Sequence, residues 1–549
     1  MSKILEATDY LGNIAAENCM FSLLLEKRAT DCTDKVFFSF GSTSYTFDEF
    51  NKNVNSMARR LLEEGLSQGS VVAILMDGSP EYLTLWFALA KIGAVEVPIN
   101  TAYRGEILLH QLRTCGATVC AIDDAYFPSI HSIINDSSVE TCFVNNPAQS
   151  AVALDSAPTT YRNFCDLLQA RKNDNLNIPI AHSAIGGIIF TSGTTGPSKG
   201  VQLSYRYLTA CGVIYADINE LRDDDVVMNF LPFFHVAAKN LTIGTLVGGG
   251  SMRLLPRLSI SSFWDEVRHY GITHFMGVGG ICNMLLSKPP QVSDAETTLR
   301  TIYAVPDPDE THHELEKRFN CSVNTVFGST EIGLPLSRNA RDEYRPGSCG
   351  KLSRFYEVKI VDEFDNELPA GVTGEIVVRP KQPFLVASGY IGMPEKTVTA
   401  WRNLWLHSGD SGRVDADGWF YFEDRVSDSM RRRGENISSF EVETLVSTHE
   451  AISEVAAVAY PSEIGEDEVR IFVIARAGRV LTPETVFIHC GENMPYFMVP
   501  RYIDIVERFP RTPTEKVEKY KLRKTPKLDT TWDYLDHGWT LSRSGIAKQ

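Results

Sequence analysis

Ile185–Gly200 reads IGGIIFTSGTTGPSKG, an apolar run followed at once by a loop of hydroxyls, glycines and a single lysine. Ile185–Phe190 has the length and composition of a buried strand bounded by turn residues. Thr191–Gly200 then places five hydroxyl side chains and three glycines within ten residues. Glycine lets the main chain approach an anion and take φ > 0, while hydroxyls and amide N–H groups donate to its oxygens. Few plain surface turns combine so many donors with so many glycines behind a buried strand, so the loop reads as a phosphate cradle. It is not a Walker A loop: Ser198 stands where that motif needs its second Gly, and Lys199 is followed by Gly200 rather than Ser or Thr. An amphipathic helix is expected directly after it.

Upstream, the apolar run Val71–Met76, the helical spacing of Glu81–Ile92 and the short run Val95–Ile99 alternate as strand, helix, strand. Glu106–Thr114 and Thr118–Ile122 repeat the pattern. A mostly parallel sheet covered by helices is the economical architecture, so the fold class is α/β. Downstream, from about Val358, short strands and turns replace this grammar and predict a small β subdomain. The charged stretch DRVSDSMRRRGEN, Asp424–Asn436, predicts a boundary. We expect an N-terminal domain over 1–427 and a smaller, mobile α+β domain over 428–549.

The 549 residues, 43% hydrophobic and 22% charged, are those of an ordinary globular chain with room for an ample core. With 53 Lys and Arg against 69 Asp and Glu, the net charge of −16 argues against broad nucleic-acid or anionic-membrane binding. The 11 cysteines show no C-x-x-C pair and their number is odd, which suits a reducing, cytoplasmic setting. The N-terminal residues lack the apolar core of a signal peptide, and the stretch Tyr82–Ile99 is broken by Lys91 and Glu96, so no targeting or membrane-spanning segment is expected.

Five further motifs follow the loop in order. LPFFHV, Leu231–Val236, presents His235 after two phenylalanines. VFGSTEIG, Val326–Gly333, combines an aromatic face, a hydroxyl and a carboxylate, and the Glu331 carboxylate is a hard oxygen ligand suited to Mg²⁺. WLHSGDSGRVDADGWFYFEDR, Trp405–Arg425, holds Asp410, a two-oxygen acceptor suited to vicinal hydroxyls, and Arg425, a permanent donor; Asp417-Gly418 reads as a hairpin turn. RRRGENIS, Arg431–Ser438, is a basic loop with Gly434, and RFPRTPTEKVEKYKLR, Arg508–Arg523, contains Lys516.

Taken together, these segments resemble the signatures of the acyl-adenylate-forming superfamily, which contains acyl-CoA synthetases, firefly luciferases and the adenylation domains of peptide synthetases. The TPTEKV and RRRGENISSFEVE forms are similar to those of crotonobetaine and carnitine CoA ligases. The resemblance implies a large N-terminal body and a C-terminal lid that rotates about Asp428. It implies that Thr191, Ser192, Gly193, Thr194, Thr195 and Lys199 bind phosphate, that Phe327 and Gly328 border adenine, and that Thr330 contacts the α-phosphate. Glu331 then holds Mg²⁺, Asp410 and Arg425 bind ribose, His235 borders the acyl carboxylate, Lys516 drives adenylation, and Gly434 makes room for the pantetheine arm of CoA beside the arginines. The departures are Ser198 before Lys199, Phe327 for the usual Tyr, Ala304-Val305-Pro306 for Gly-Gly-Ala-Pro, Ser427 before the hinge and Glu515 before Lys516.

The implied reaction is ATP-dependent ligation of a carboxylic acid to CoA through acyl-AMP. Two alternatives stay open: an adenylate-forming enzyme that passes the acyl group to a carrier-protein thiol or oxidises it, and a non-catalytic nucleotide-binding regulator on the same fold. By the same resemblance Phe233, His235–Asn240 and Gly277–Ile281 line the acyl pocket. The small GVGGI permits a wide acyl group, and Lys239 points to a polar or acidic one. The oligomeric state is open, with a homodimer as one option.

Overall fold

The computed structural model describes residues 20–146, 159–169, 171–191, 198–278, 281–305, 307, 311–425, 429–462, 465–511 and 517–548. The chain divides into two compact units. The first takes in Met1–Thr101, Leu109–Phe190 and Gly200–Asp424; the second takes in Ala102–Leu108, Thr191–Lys199 and Arg425–Gln549.

The first unit contains two sheets, of eight and thirteen strands. In the smaller, β1 (Val71–Leu75) pairs in parallel with β2 (Val95–Pro98) and β3 (Val119–Asp123), and β2 pairs in parallel with β4 (Ile185–Thr191). Helix α1 (Pro80–Ile92) links β1 to β2. Ser79 caps it by accepting the N–H of Tyr82, Pro80 occupies its first turn, and Gly93 ends it at φ 73°. Only Glu81 of α1 escapes burial, as befits a helix wedged inside the body. Helix α2 (Gly105–Cys115) precedes β3.

The segment after the hydroxyl-rich loop departs from expectation. A strand, β5 (Lys199–Ser204), comes first, and helix α3 (Tyr205–Ile218) begins only behind Ser204, whose Oγ accepts the N–H of Tyr207 at 3.1 Å. Sheet pairing satisfies the backbone here, and packing favours it. A Cβ at Gly200 would stand 2.7 Å from Ile391 and 3.0 Å from Ile188.

In the larger sheet β6 (Val226–Asn229), β7 (His274–Val278), β8 (Thr301–Val305) and β9 (Ser322–Ser329) are parallel neighbours. Helix α4 (Val236–Gly248) follows β6 and helix α5 (His312–Phe319) follows β8. Beyond β9 the same ladder becomes antiparallel already at Gly333–Arg338, ahead of the short-strand region expected from Val358. From there β10 (Gly389–Tyr390) crosses to the smaller sheet and pairs antiparallel with β5, Tyr390 opposite Val201. Strands β11 (Leu406–Val414) and β12 (Phe420–Arg425) are neighbours joined through the Asp417-Gly418 turn, with Gly418 at φ 81°.

The second unit has its own core, built around Val442, Val446, Ile471, Val473 and Phe487. It includes a hairpin of β13 (Ser429–Arg432) and β14 (Glu435–Ser438), then helix α6 (Ser439–Ser447) capped by Ser438, and a four-stranded sheet. Among the described residues no helix is long and apolar enough to cross a membrane. The ten described cysteines are free thiols.

Candidate active site

Parallel sheets present their ligand-binding crevices at the carboxyl ends of the strands. Four of the segments singled out above lie at such ends in consecutive strands: His235 follows β6, Gly277–Ile281 begins in β7, Ala304 and Val305 end β8, and Phe327–Glu331 ends β9. The parallel register therefore brings together motifs spread over about a hundred residues of chain.

The FGSTE segment is a tight turn between β9 and an antiparallel strand, with Ser329 opposite Gly333. Gly328 has no substitute there, because a Cβ would lie 2.2 Å from the Gly333 carbonyl oxygen. The Ser329 hydroxyl accepts the N–H of Glu331 and donates to Glu331 Oε2, each at 3.2 Å. The Tyr207 hydroxyl donates to the Thr330 carbonyl at 2.8 Å, the Ala387 N–H donates to the Glu331 carbonyl at 2.8 Å, and the Tyr390 hydroxyl donates to Glu331 Oε1 at 3.3 Å. Burial pushes both tyrosines well above the usual phenol range, so both stay protonated donors. Tyr390 sits on β10 beside β5, which ties the Glu331 carboxylate to the strand that leaves the hydroxyl-rich loop. A carboxylate with a neighbouring hydroxyl is the hard oxygen set that Mg²⁺ prefers, so these residues fit that ion.

Phe327 is buried with its ring centroid 6.1 Å from that of Phe422 on β12. Asp410 is buried on β11, where its N–H donates to Ser408 Oγ at 3.1 Å. Arg425 ends the neighbouring β12, and its side chain lies outside the described residues. Ser192, Gly193, Thr194 and Thr195 lie outside them too, as do Gly279 and Gly280, Asp428 and Lys516. Thr191 ends β4 and Lys199 opens β5.

His235 occupies the N-cap position of α4 with its ring 4.7 Å from that of Phe234. Beneath it Phe233 packs on Tyr82 and Trp86, at 4.7 and 6.1 Å. Lys239, one turn into α4, does not offer a free cation to an acyl group. Its ammonium lies 2.6 and 2.7 Å from the two oxygens of Glu96 on β2 and 4.2 Å from the centre of the Trp86 ring, and both charged residues are 1% exposed. Tyr82 donates to the same carboxylate at 2.5 Å. Burial pushes the carboxyl up and the ammonium down, and each charge opposes the shift of the other.

The three arginines do not form one basic face. They fall on a strand and a turn, so their side chains diverge. Arg432 is 2% exposed, with its Nε 2.6 Å from Glu468 and its Nη1 donating to the Val499 carbonyl at 2.6 Å. Arg433 and Gly434 make the β13–β14 turn at φ 55° and 80°, and the Gly434 N–H donates to Glu466 at 3.1 Å. In the same unit the Ser198 N–H donates to Oε1 of Glu441 on α6 at 3.1 Å. Sequence reasoning passed over Tyr207, Ser329, Tyr390 and Glu441. Ser329 and Glu441 stood in recognised stretches, and nothing marks Tyr207 and Tyr390 short of the fold that assembles them.

The chain belongs to the AMP-binding enzyme family: the family's model matches residues 25–391, and that of the AMP-binding enzyme C-terminal domain matches residues 441–516. Within it the chain falls in the acyl-CoA synthetase branch of the adenylate-forming enzymes. It is 30% identical over 491 residues to the crotonobetaine/carnitine–CoA ligase of Salmonella enteritidis PT4 (strain P125109), covering 87% of this chain and 93% of that one. Its fold is similar to that of an o-succinylbenzoate CoA synthetase from Bacillus subtilis, with a TM-score of 0.79, 21% identity and coverage of 91% and 98%. It is equally similar to an amide bond synthetase from Marinactinospora thermotolerans, with a TM-score of 0.79, 22% identity and coverage of 92% and 99%.

Proposed function

We propose that this protein is an ATP-dependent acid–CoA ligase that works in two half-reactions with the residues named above. In the first, a carboxylate oxygen attacks the α-phosphorus of ATP, the bond to the bridging oxygen breaks, and pyrophosphate leaves. In the second, the CoA thiolate attacks the acyl carbonyl and AMP leaves with the electron pair of the mixed anhydride. Both steps gather negative charge on oxygen, so the site needs positioned donors and cations more than covalent groups. Mg²⁺ neutralises charge on the polyphosphate when bound.

Thr191, Ser192, Gly193, Thr194, Thr195 and Lys199 grip the phosphates, while the Thr330 hydroxyl donates to the α-phosphate and Glu331 holds the metal. Tyr207 fixes the Thr330 main chain, and Tyr390 orients the Glu331 carboxylate. Phe327 and Gly328 border adenine, Asp410 and Arg425 take the ribose hydroxyls, and His235 borders the reacting carboxylate. Lys516 stabilises charge in the first half-reaction, and Gly434 admits the pantetheine arm in the second. We place the hinge at Asp428, between domains 1–427 and 428–549, and the compartment in the cytoplasm.

The observation that best supports this reading is the Thr330–Glu331 turn, held at the carboxyl end of β9 by the hydroxyls of buried Tyr207 and half-buried Tyr390. The relatives' names suggest acids of the carnitine type. The Lys239–Glu96 pair argues for a tail without a second carboxylate, because the ammonium already has its counter-ion. The test is pyrophosphate release by purified protein over a panel of betaine, aliphatic, aromatic and dicarboxylic acids, with thioester formation scored with and without CoA. Pyrophosphate without thioester in the presence of CoA favours a carrier-protein acceptor, and ATP binding without turnover of any acid favours the regulator.

A further inference from the structure

Helix α5 begins with two histidines, His312-His313, and carries Glu316 one turn on. Glu316 stands four residues after His312 and three after His313, the two spacings that make side chains neighbours on a helix, so its carboxylate lies between the histidines. His312 Nε2 lies 3.5 Å from Glu316 Oε2, His313 Nδ1 lies 3.5 Å from the same oxygen, and all three atoms fall within 4.8 Å of one another. Zinc bonds of about 2.0–2.1 Å in a tetrahedron put neighbouring ligand atoms about 3.4 Å apart. Two of the three edges already have that length.

The atoms behind the ligands are also held. His312 Nδ1 lies 3.0 Å from Asp307 Oδ1. That contact fixes the tautomer with the proton on Nδ1 and leaves the Nε2 lone pair facing Glu316. Asp307 is anchored in turn by Arg338. Glu316 Oε1 accepts the N–H of Val323 at 3.4 Å, which leaves Oε2 for the other side. The His312 ring is sandwiched flat on Tyr344 at 3.9 Å, so it cannot swing away. His312 is 1% exposed, whereas the side chain of His313 is 73% exposed and can move to close the third edge.

We propose that His312, His313 and Glu316 form a binding site for a divalent transition ion of the zinc class, with three protein ligands, Asp307 as the supporting carboxylate and one position open to water. Two imidazoles and a carboxylate suit zinc, cobalt or nickel, whereas Mg²⁺ prefers an all-oxygen set. The site thus differs in chemistry from the one proposed at Glu331.

The test is titration of the metal-free full chain with Co²⁺, followed by absorbance of its d–d bands, and with Zn²⁺ by displacement. One equivalent is expected to bind with a four-coordinate spectrum, to resist millimolar Mg²⁺, and to raise the melting temperature of the wild type. His313→Ala, at an exposed position where the ring meets only the edges of Tyr344 and His312, is expected to weaken binding by at least about 10-fold and to abolish the thermal shift, and Asp307→Asn to weaken it by about 10-fold. Glu331→Gln is expected to leave it unchanged. An unaltered spectrum and affinity in His313→Ala, or loss of the signal in Glu331→Gln, overturns the proposal.

Discussion

The backbone N–H of Ser198, in the hydroxyl-rich loop, donates at 3.1 Å to Oε1 of Glu441 on α6, 243 residues further along the chain. The other carboxylate oxygen, Oε2, has no hydrogen-bond partner among the described residues. Burial pushes the Glu441 carboxyl up to about 7, against the opposing hydrogen bonds from the backbone and side chain of Ser198.

That shift has a definite sign. A carboxyl whose folded pKa is raised favours folding while it is protonated, below its unfolded value near 4.5, and loses that contribution as pH rises through about 7. Glu441→Gln keeps an acceptor for Ser198 and cannot ionise. The variant is expected to match the wild type near pH 4 and to be the more stable protein at pH 8, by up to roughly 3 kcal/mol at 1.36 kcal/mol per unit. Calorimetric melting across this range checks it, and a difference that does not change with pH would sink the assignment.

The Lys239–Glu96 pair gives a second expectation. Removing one partner of a buried ion pair leaves an uncompensated charge and costs about 3–5 kcal/mol, whereas replacing both with apolar groups of similar volume is often close to neutral. Lys239→Met and Glu96→Leu should each lower the melting temperature strongly. Glu96→Leu combined with Lys239→Met should recover most of the loss. Additive losses in a double-mutant cycle would show that the two residues do not act as a pair.

Several of these relationships explain what could be read from the sequence and what could not. Ile185–Phe190, Val71–Met76 and Glu81–Ile92 each carry their own period and caps, and each forms the expected element. Strand β5 was hidden because its six residues run straight into a helix, so the helical period dominates the window. Arg432 belongs to the stretch read as a basic loop, yet it lies on a strand whose alternation turns it away from Arg431. Lys239 and Glu96 lie 143 residues apart, and no local pattern joins them. The same holds for Tyr390 and Glu331, which meet only because β10 leaves one sheet to pair in the other.

For the metal proposed at Glu331, Glu331→Gln keeps the acceptor for Ser329 and Tyr390 but removes the anion. Adenylation at saturating ATP should fall, and the Mg²⁺ concentration needed for half-maximal pyrophosphate release should rise. Because the turn is also held by Tyr207 and Ala387, the fold should be unaffected. An unchanged Mg²⁺ titration with an unchanged rate would remove Glu331 from the metal site.

The two half-reactions should be separable by mutation in the second unit. Lys516 is proposed to act while charge grows on the α-phosphate, and loss of such a donor typically costs on the order of 10² to 10³ in rate. It has no task once acyl-AMP exists. Lys516→Ala should therefore fail to release pyrophosphate from acid and ATP, yet convert supplied acyl-AMP and CoA to thioester. Gly434 is proposed to serve thiol entry, so Gly434→Leu should release pyrophosphate normally and fail with supplied acyl-AMP. The turn adds a control, because Gly434 sits at φ 80° and any β-carbon there adds strain of about 1–2 kcal/mol. Asn tolerates that conformation best among larger residues, so Gly434→Asn separates strain from obstruction. If Asn and Leu impair the second half-reaction equally, the loss comes from the turn. If Leu alone impairs it, the side chain blocks the thiol. Equal loss of both half-reactions in folded Lys516→Ala and Gly434→Leu would show that the two residues serve one step rather than two.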